Sequence, residues 1–93
     1  MKYLRRIVLD VLKPHQPGIH ELAIHLSELQ GVEGINITLL EVDAETENVA
    51  VTIEGQFLFD TVKDTLEEWN CSIHSIDQVI TGNVVVEYKE LGK

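Results

Sequence analysis

The chain has 93 residues, and its 16 acidic and 7 basic residues give a net charge of −9 at pH 7. A chain of this length forms one domain, over residues 1–93, and a hydrophobic content of 44% is that of a globular protein and not of a disordered segment. The acidic balance argues against nucleic acid and anionic membranes as partners, because both are bound through clustered Lys and Arg.

The first predicted elements are a strand and a helix. Apolar and other side chains alternate over residues 4–12, which predicts a strand that Pro14 ends. After Pro17 and Gly18, apolar residues recur at the 3.6-residue period of a helix, and Gly31 provides a natural stop. The apolar stripe of this helix consists of Ile19, Leu22, Ala23, Leu26 and Leu29.

Two further strands and a polar loop follow. Residues 35–40 and 49–54 both alternate, and the second of these strands is expected to stop at Gly55. The polar run of residues 43–48 lies between them, so this region is predicted to be a hairpin.

The last third of the chain predicts a helix and one more hairpin. Phe59, Val62, Leu66 and Trp69 form a buried helical stripe that ends near Asn70. Residues 72–80 then form a fourth strand. The Gly82-Asn83 pair between apolar runs predicts a tight turn into a short fifth strand over residues 84–86.

The element order predicts an α+β fold of the ferredoxin-like βαββαβ type, an antiparallel sheet with two helices on one face and a short extra C-terminal strand. The first and third strands are expected at the centre and parallel, with the fourth beside the first and the second beside the third. The helix side should carry Ile7, Leu9, Val11, Val49, Val51 and Ile53. The open face should carry Val8, Asp10, Leu12, Ala50, Thr52 and Glu54. A partly apolar open face and a free strand edge favour self-association.

Two aspartates are the leading candidates for a cation site. Asp10 interrupts an otherwise apolar strand, and Asp77 lies in the strand predicted to pair with it. If Ile76 is a core residue, Asp77 shares the open face with Asp10, and carboxylates gathered there repel unless a proton or cation lies between them. Oxygen ligands suit Ca²⁺ or Mg²⁺ better than zinc. The alternative is hydrogen bonding or ion pairing between subunits through Arg5 or Arg6.

The acidic hairpin supplies the next candidate ligands, Glu41 and Asp43. Its carboxylates have some of the spacing of an EF-hand, but the required glycine is absent and the flanks are strands. Two interpretations of the acidic hairpin remain: its carboxylates form a less regular cation site, or the hairpin is a solvated loop. His20 and His25 resemble a zinc-protease pair but are one residue too far apart to face the same metal.

The distribution of charge and cysteine adds two expectations. Four of the 7 basic residues lie in the first 13 positions, whereas none occurs from Pro14 to Val62. A basic first strand and an acidic middle either lie on opposite sides of a monomer or attract each other between subunits. Cys71 is the single cysteine, and no signal peptide or membrane span is recognisable, so a cytoplasmic protein is expected.

Four strings resemble the archaeal family known as the domain of unknown function 211. They are RIVLDVLKPH (6–15), LQGVEGINITL (29–39), DAETENV (43–49) and SIHSID (72–77). The resemblance spans nearly the whole chain. It implies a ferredoxin-like fold and a homo-oligomeric, ring-like assembly, makes bound calcium plausible, and brings no assigned activity.

The sequence therefore predicts a non-enzymatic homo-oligomer that binds Ca²⁺ or Mg²⁺ through Asp10 and Asp77, with Glu41 and Asp43 next. No nucleophile–base pair and no organic cofactor motif is recognisable. The alternative is a small-molecule sensor of the ACT type, whose ligand would lie between subunits near residues 13–21.

Overall fold

The computed structural model describes residues 2–89, which form four strands and two helices in the order β-α-β-β-α-β. In chain order they are β1 (Leu4–Pro14), α1 (Ile19–Ser27), β2 (Val32–Val42), β3 (Thr46–Phe57), α2 (Phe59–Glu68) and β4 (Ser72–Thr81). This order confirms the predicted α+β class and is consistent with the ferredoxin-like plan. Within the described residues, neither helix is long and apolar enough to cross a membrane.

The four strands form one sheet in the order β2-β3-β1-β4, with every neighbouring pair antiparallel. The predicted neighbours are confirmed, but the predicted parallel orientation of β1 and β3 is wrong. The crossover through α1 returns the chain so that β2 runs in the direction of β1, and the hairpin then reverses β3. β2 and β4 are consequently the two edge strands.

Both helices pack on one face of the sheet, as predicted. The six strand residues assigned to that side are each at most 1% exposed. Leu22 and Leu26 of α1 and Val62 and Leu66 of α2 are fully buried in the same cluster. Burial of each such side chain stabilises the fold by about 1.5–3 kcal/mol. The strands contribute these residues at every second position and the helices at every third or fourth position. We call the opposite side of the sheet the uncovered face.

Two elements end at other residues than predicted. α1 ends at Ser27, before Gly31, and β3 continues beyond Gly55 to Phe57, which is 1% exposed. The backbone N–H of Gln56 donates to the Gly31 carbonyl at 2.8 Å, and this hydrogen bond extends β3 beyond Gly55. Gly31 has a φ of 84°, and a Cβ there would lie 1.9 Å from the Gln56 carbonyl oxygen.

The C-terminal hairpin is not confirmed. β4 ends at Thr81, and the segment that follows, residues 84–89, which we call the C-terminal tail, has no strand structure. The Arg5 guanidinium donates to the carbonyls of Gly82 and Asn83 at 3.1 and 3.2 Å, and these contacts fix the chain where the tight turn was expected. The tail therefore leaves β4 without pairing to it.

Candidate functional site

Asp10 and Asp77 lie on the neighbouring strands β1 and β4, and Asp77 is two residues from Ser75, the cross-strand partner of Asp10. Asp10 is paired with Ala50 on one side and Ser75 on the other. The Ser75 hydroxyl donates to Oδ1 of Asp77 at 2.7 Å, and the Asn48 side-chain amide donates to Oδ1 of Asp10. Ser75 is therefore bonded to the Asp77 carboxylate and lies opposite Asp10 in the strand register.

One assumption behind the predicted placement is wrong. Ile76 is 50% exposed at the sheet edge and so is not a core residue, although it pairs with Leu9 of the helix side. β4 contains a bulge, because Val8 pairs with Gln78 whereas the next residue, Leu9, pairs with Ile76. Asp77 is the unpaired residue of this bulge. Because Ile76 lies opposite the core residue Leu9 and Ser75 lies opposite Asp10, ordinary alternation places Ser75 and Asp77 together on the uncovered face.

Glu41 and Asp43 occupy different positions in the acidic hairpin. Glu41 is paired with Asn48, which also contacts Asp10, so all three share the uncovered face. The strands of Glu41 and Asp10 are separated by β3, a distance of roughly 10 Å at ordinary strand spacing. Asp43 lies beyond the end of β2, where its backbone N–H donates to the Thr46 carbonyl at 2.8 Å. Within residues 2–89, no group of three or more His, Cys, Asp or Glu side chains surrounds a common point.

Arg6 shares the strand and face of Asp10 but has other partners. Its guanidinium contacts the carboxylates of Glu54 and Glu87 at 2.7 Å each and the Gln78 side-chain oxygen at 3.3 Å. The ion pair lowers the pKa of Glu87 and fastens the C-terminal tail beside the uncovered face. The guanidinium of Arg5 is held by backbone carbonyls of the tail base. Intersubunit pairing of these arginines with Asp10 would therefore require breaking contacts within the chain.

A buried lysine forms a polar cluster that the sequence interpretation missed. The Lys13 side chain is 0% exposed, and its ammonium donates to Oε1 of Glu47 at 3.0 Å and to the Pro14 carbonyl at 2.8 Å. A buried charge needs such partners, because desolvation is otherwise costly. The alternation of the buried residues Ile7, Leu9 and Val11 continues to position 13, so the sequence pattern already indicated that Lys13 lies on the buried side of β1.

His15 joins this cluster to the acidic hairpin. Its Nδ1 lies 3.1 Å from Oε2 of Glu47, and its Nε2 lies 3.0 Å from the Ala44 carbonyl. Both partners only accept hydrogen bonds, so both ring nitrogens must carry protons to satisfy them. The hydrogen bond to Glu47, followed by that to Ala44, raises the pKa of His15. The hydrogen bonds from His15 and then Lys13 lower the pKa of Glu47.

The same contacts occupy part of the segment, residues 13–21, in which an ACT-type sensor would bind its ligand. Lys13 and His15 are engaged by the hairpin, and Glu21 accepts a hydrogen bond from the backbone N–H of Gly18 at 3.0 Å. The sensor alternative stays a prediction.

Opposite charges lie at opposite ends of the sheet. Leu4, beside the basic N-terminal residues, pairs with Thr81, whereas Pro14 pairs with Thr46 in the acidic hairpin. The strand between them has 11 residues, so the two ends are about 33 Å apart at 3.3 Å per residue. This arrangement matches the opposite sides expected in a monomer, and head-to-tail contact between subunits stays a prediction.

The comparisons with known proteins identify the family. The model of DUF211, described as "Uncharacterized ArCR", matches residues 5–93. The chain belongs to the DUF211 family. It is also 50% identical over 88 residues to "Uncharacterized protein MJ0319" of Methanocaldococcus jannaschii, which covers 94% of this chain and 91% of the relative. The suspected DUF211 resemblance is thereby confirmed. Neither name states an activity, so the function of this DUF211 chain is argued from its geometry.

Proposed function

We propose that this protein is a non-enzymatic, self-assembling protein of the cytoplasm that binds Ca²⁺ or Mg²⁺ on the uncovered face of its sheet. The observation that supports the proposal is that Asp77 is bonded to Ser75, which lies opposite Asp10 on the neighbouring strand. Cys71, the single cysteine, is a buried free thiol, which suits a reducing compartment.

The donor atoms favour a hard cation. The two carboxylates and the Ser75 hydroxyl are oxygen ligands of the kind that Ca²⁺ and Mg²⁺ prefer, whereas Asn48 presents its amide N–H to Asp10. Arg6 does not neutralise Asp10, because its guanidinium is engaged by Glu54 and Glu87. A cation would therefore relieve the repulsion between the two aspartates.

The proposed cation also gives a reason for assembly. Ca²⁺ takes 6–8 oxygen ligands, whereas one subunit brings together only the two aspartates and neighbouring neutral groups. A second subunit would supply the missing oxygens, and Glu41 and Asp43 are the candidates from its acidic hairpin. The exposed apolar residues of both edge strands and of the C-terminal tail support self-association independently.

Calorimetric titration tests the cation site. The parent protein is titrated with Ca²⁺ and with Mg²⁺, beside the D10N/D77N variant and a D64N control on the exposed side of α2. We expect binding by the parent and the control and loss of binding in D10N/D77N. Absence of binding by the parent, or equal binding by D10N/D77N, would refute the site.

A second arm separates the aspartates from the hairpin. In E41Q/D43N we expect weaker cation binding together with weaker self-association, because these residues are assigned to the neighbouring subunit. If E41Q/D43N loses binding while D10N/D77N retains it, the cation site belongs to the hairpin and the assignment to the uncovered face is wrong.

A further inference from the structure

The C-terminal tail alternates in exposure but pairs with no strand among residues 2–89. Val84, Val86 and Tyr88 are 71%, 73% and 81% exposed, more than the residues between them. Of these, Val85 is 41% exposed and Glu87 is bonded to Arg6. Within the described residues, no backbone hydrogen bond joins residues 84–88 to another segment. An extended apolar segment with free backbone groups is suited to strand addition.

The outer edge of β2 has matching properties. β2 is an edge strand of 11 residues, so one side of its backbone has no partner strand in the sheet. Its exposed apolar residues gather at the hairpin end, where Leu39, Leu40 and Val42 are 44%, 59% and 56% exposed. These residues lie on both faces of β2, so the side chains of a strand paired to its outer edge would contact them on both faces of the sheet.

The charges around the two segments are complementary. Lys2, Arg5 and Lys89 accompany the tail, whereas Glu41, Asp43 and Glu45 accompany the hairpin end of β2. Within one subunit these regions are at opposite ends of the sheet, so the tail cannot reach the hairpin end of its own β2. The matching partner is therefore a second copy of the chain.

We infer that the tail, residues 84–88, adds as a fifth strand to the hairpin end of β2 in a second copy, near Leu39–Val42. The contact is head-to-tail, because different surfaces of the two copies meet. The short C-terminal strand expected from the sequence would then form between subunits and not within one. This inference rests on the proposed self-assembly and names the surface that produces it.

Complementation between two variants tests the inference. The tail variant V84D/V86D keeps an intact β2 edge, and the edge variant L40K/V42K keeps an intact tail. Each is measured alone and as a mixture by light scattering after size-exclusion chromatography, with circular dichroism to verify folding. The control I24K carries its substitution on an exposed residue of α1.

We expect the parent and I24K to assemble and each disrupted variant to associate about 30-fold or more weakly, because charges replace central apolar contacts. The mixture should regain a heterodimer, since the tail of one variant meets the edge of the other. A monomeric parent would refute the proposed self-assembly itself. An assembling parent whose disrupted variants also assemble, or whose mixture yields no heterodimer, would overturn only this inference.

Discussion

Replacement of Gly31 by alanine should destabilise the fold strongly, because two backbones meet at this residue. Gly31 has a φ of 84°, a conformation that residues with a Cβ rarely adopt. A Cβ at this position would lie 1.9 Å from the carbonyl oxygen of Gln56. The same pair is joined by the 2.8 Å hydrogen bond from the Gln56 N–H to the Gly31 carbonyl.

The magnitude follows from two contributions. The left-handed conformation costs an L-residue about 1–2 kcal/mol. The overlap with a backbone atom can be relieved only by separating β3 from the start of β2, which sacrifices a hydrogen bond worth about 1 kcal/mol. The free energy of unfolding should fall by about 3 kcal/mol, and Tm by about 12–24 °C for a domain of this size.

Thermal and urea unfolding of the parent, G31A and G34A measure this effect. Gly34 is the matched control, because a Cβ there would meet nothing within 4 Å. We expect G34A to remain within about 1 kcal/mol of the parent. A G31A protein as stable as G34A would show that the close approach of Gly31 and Gln56 is not a constraint.

Three further predictions concern the charged clusters. The raised pKa of His15 means that the folded state binds the His15 proton more tightly than the unfolded state does, so this contribution to the free energy of unfolding is complete below pH 6.5 and is lost as the pH rises through the folded pKa. In urea unfolding at a series of pH values, H15N should not show this loss of stability with rising pH. An H15N profile equal to that of the parent would contradict the assignment. E47Q should be more destabilising than K13M, because E47Q leaves the buried Lys13 ammonium without its counter-charge, whereas K13M removes the charge and keeps an apolar side chain. Equal urea unfolding midpoints for E47Q and the exposed control E68Q would argue against this. R6Q should raise the pKa of Glu87 toward its ordinary value of 4.5, measured by NMR titration, whereas R5Q should leave it unchanged.

Much of the fold could be predicted from the sequence because its patterns are local. The alternation of Ile7, Leu9 and Val11 and the helical spacing of Leu22 and Leu26 each require only a few neighbouring residues, and all five are buried. The direction of β3 relative to β1 was misjudged, although it follows from the crossover and the hairpin. The helix-side residues were nonetheless assigned correctly, because burial of a face depends on alternation and not on strand direction.

The tail and the candidate site depended on long-range contacts that a local pattern does not contain. The hairpin at Gly82 was expected from turn chemistry, but Arg5, far away in sequence, holds the carbonyls of Gly82 and Asn83. Similarly, the bulge at Asp77, which shifts the pairing of β4 with β1, is not visible in the local alternation of Ser75 and Asp77. The buried Lys13 was overlooked because charge was given more weight than its position in the alternation.

The proposed cation site and the proposed subunit contact both involve the acidic hairpin. If Glu41 and Asp43 of one copy complete the ligands around Asp10 and Asp77 of another, each cation bound stabilises the contact, and the contact strengthens cation binding by the same factor. The basic residues beside the tail act on the same hairpin, since they would neutralise its carboxylates when the tail adds to β2. A high ionic strength would weaken the arginine and lysine contacts, which lie on the surface, more than the coordinated cation. With a net charge of −9, copies of the chain repel each other, so the proposed assembly requires that the carboxylates of one subunit meet either the basic end of its neighbour or a bound cation.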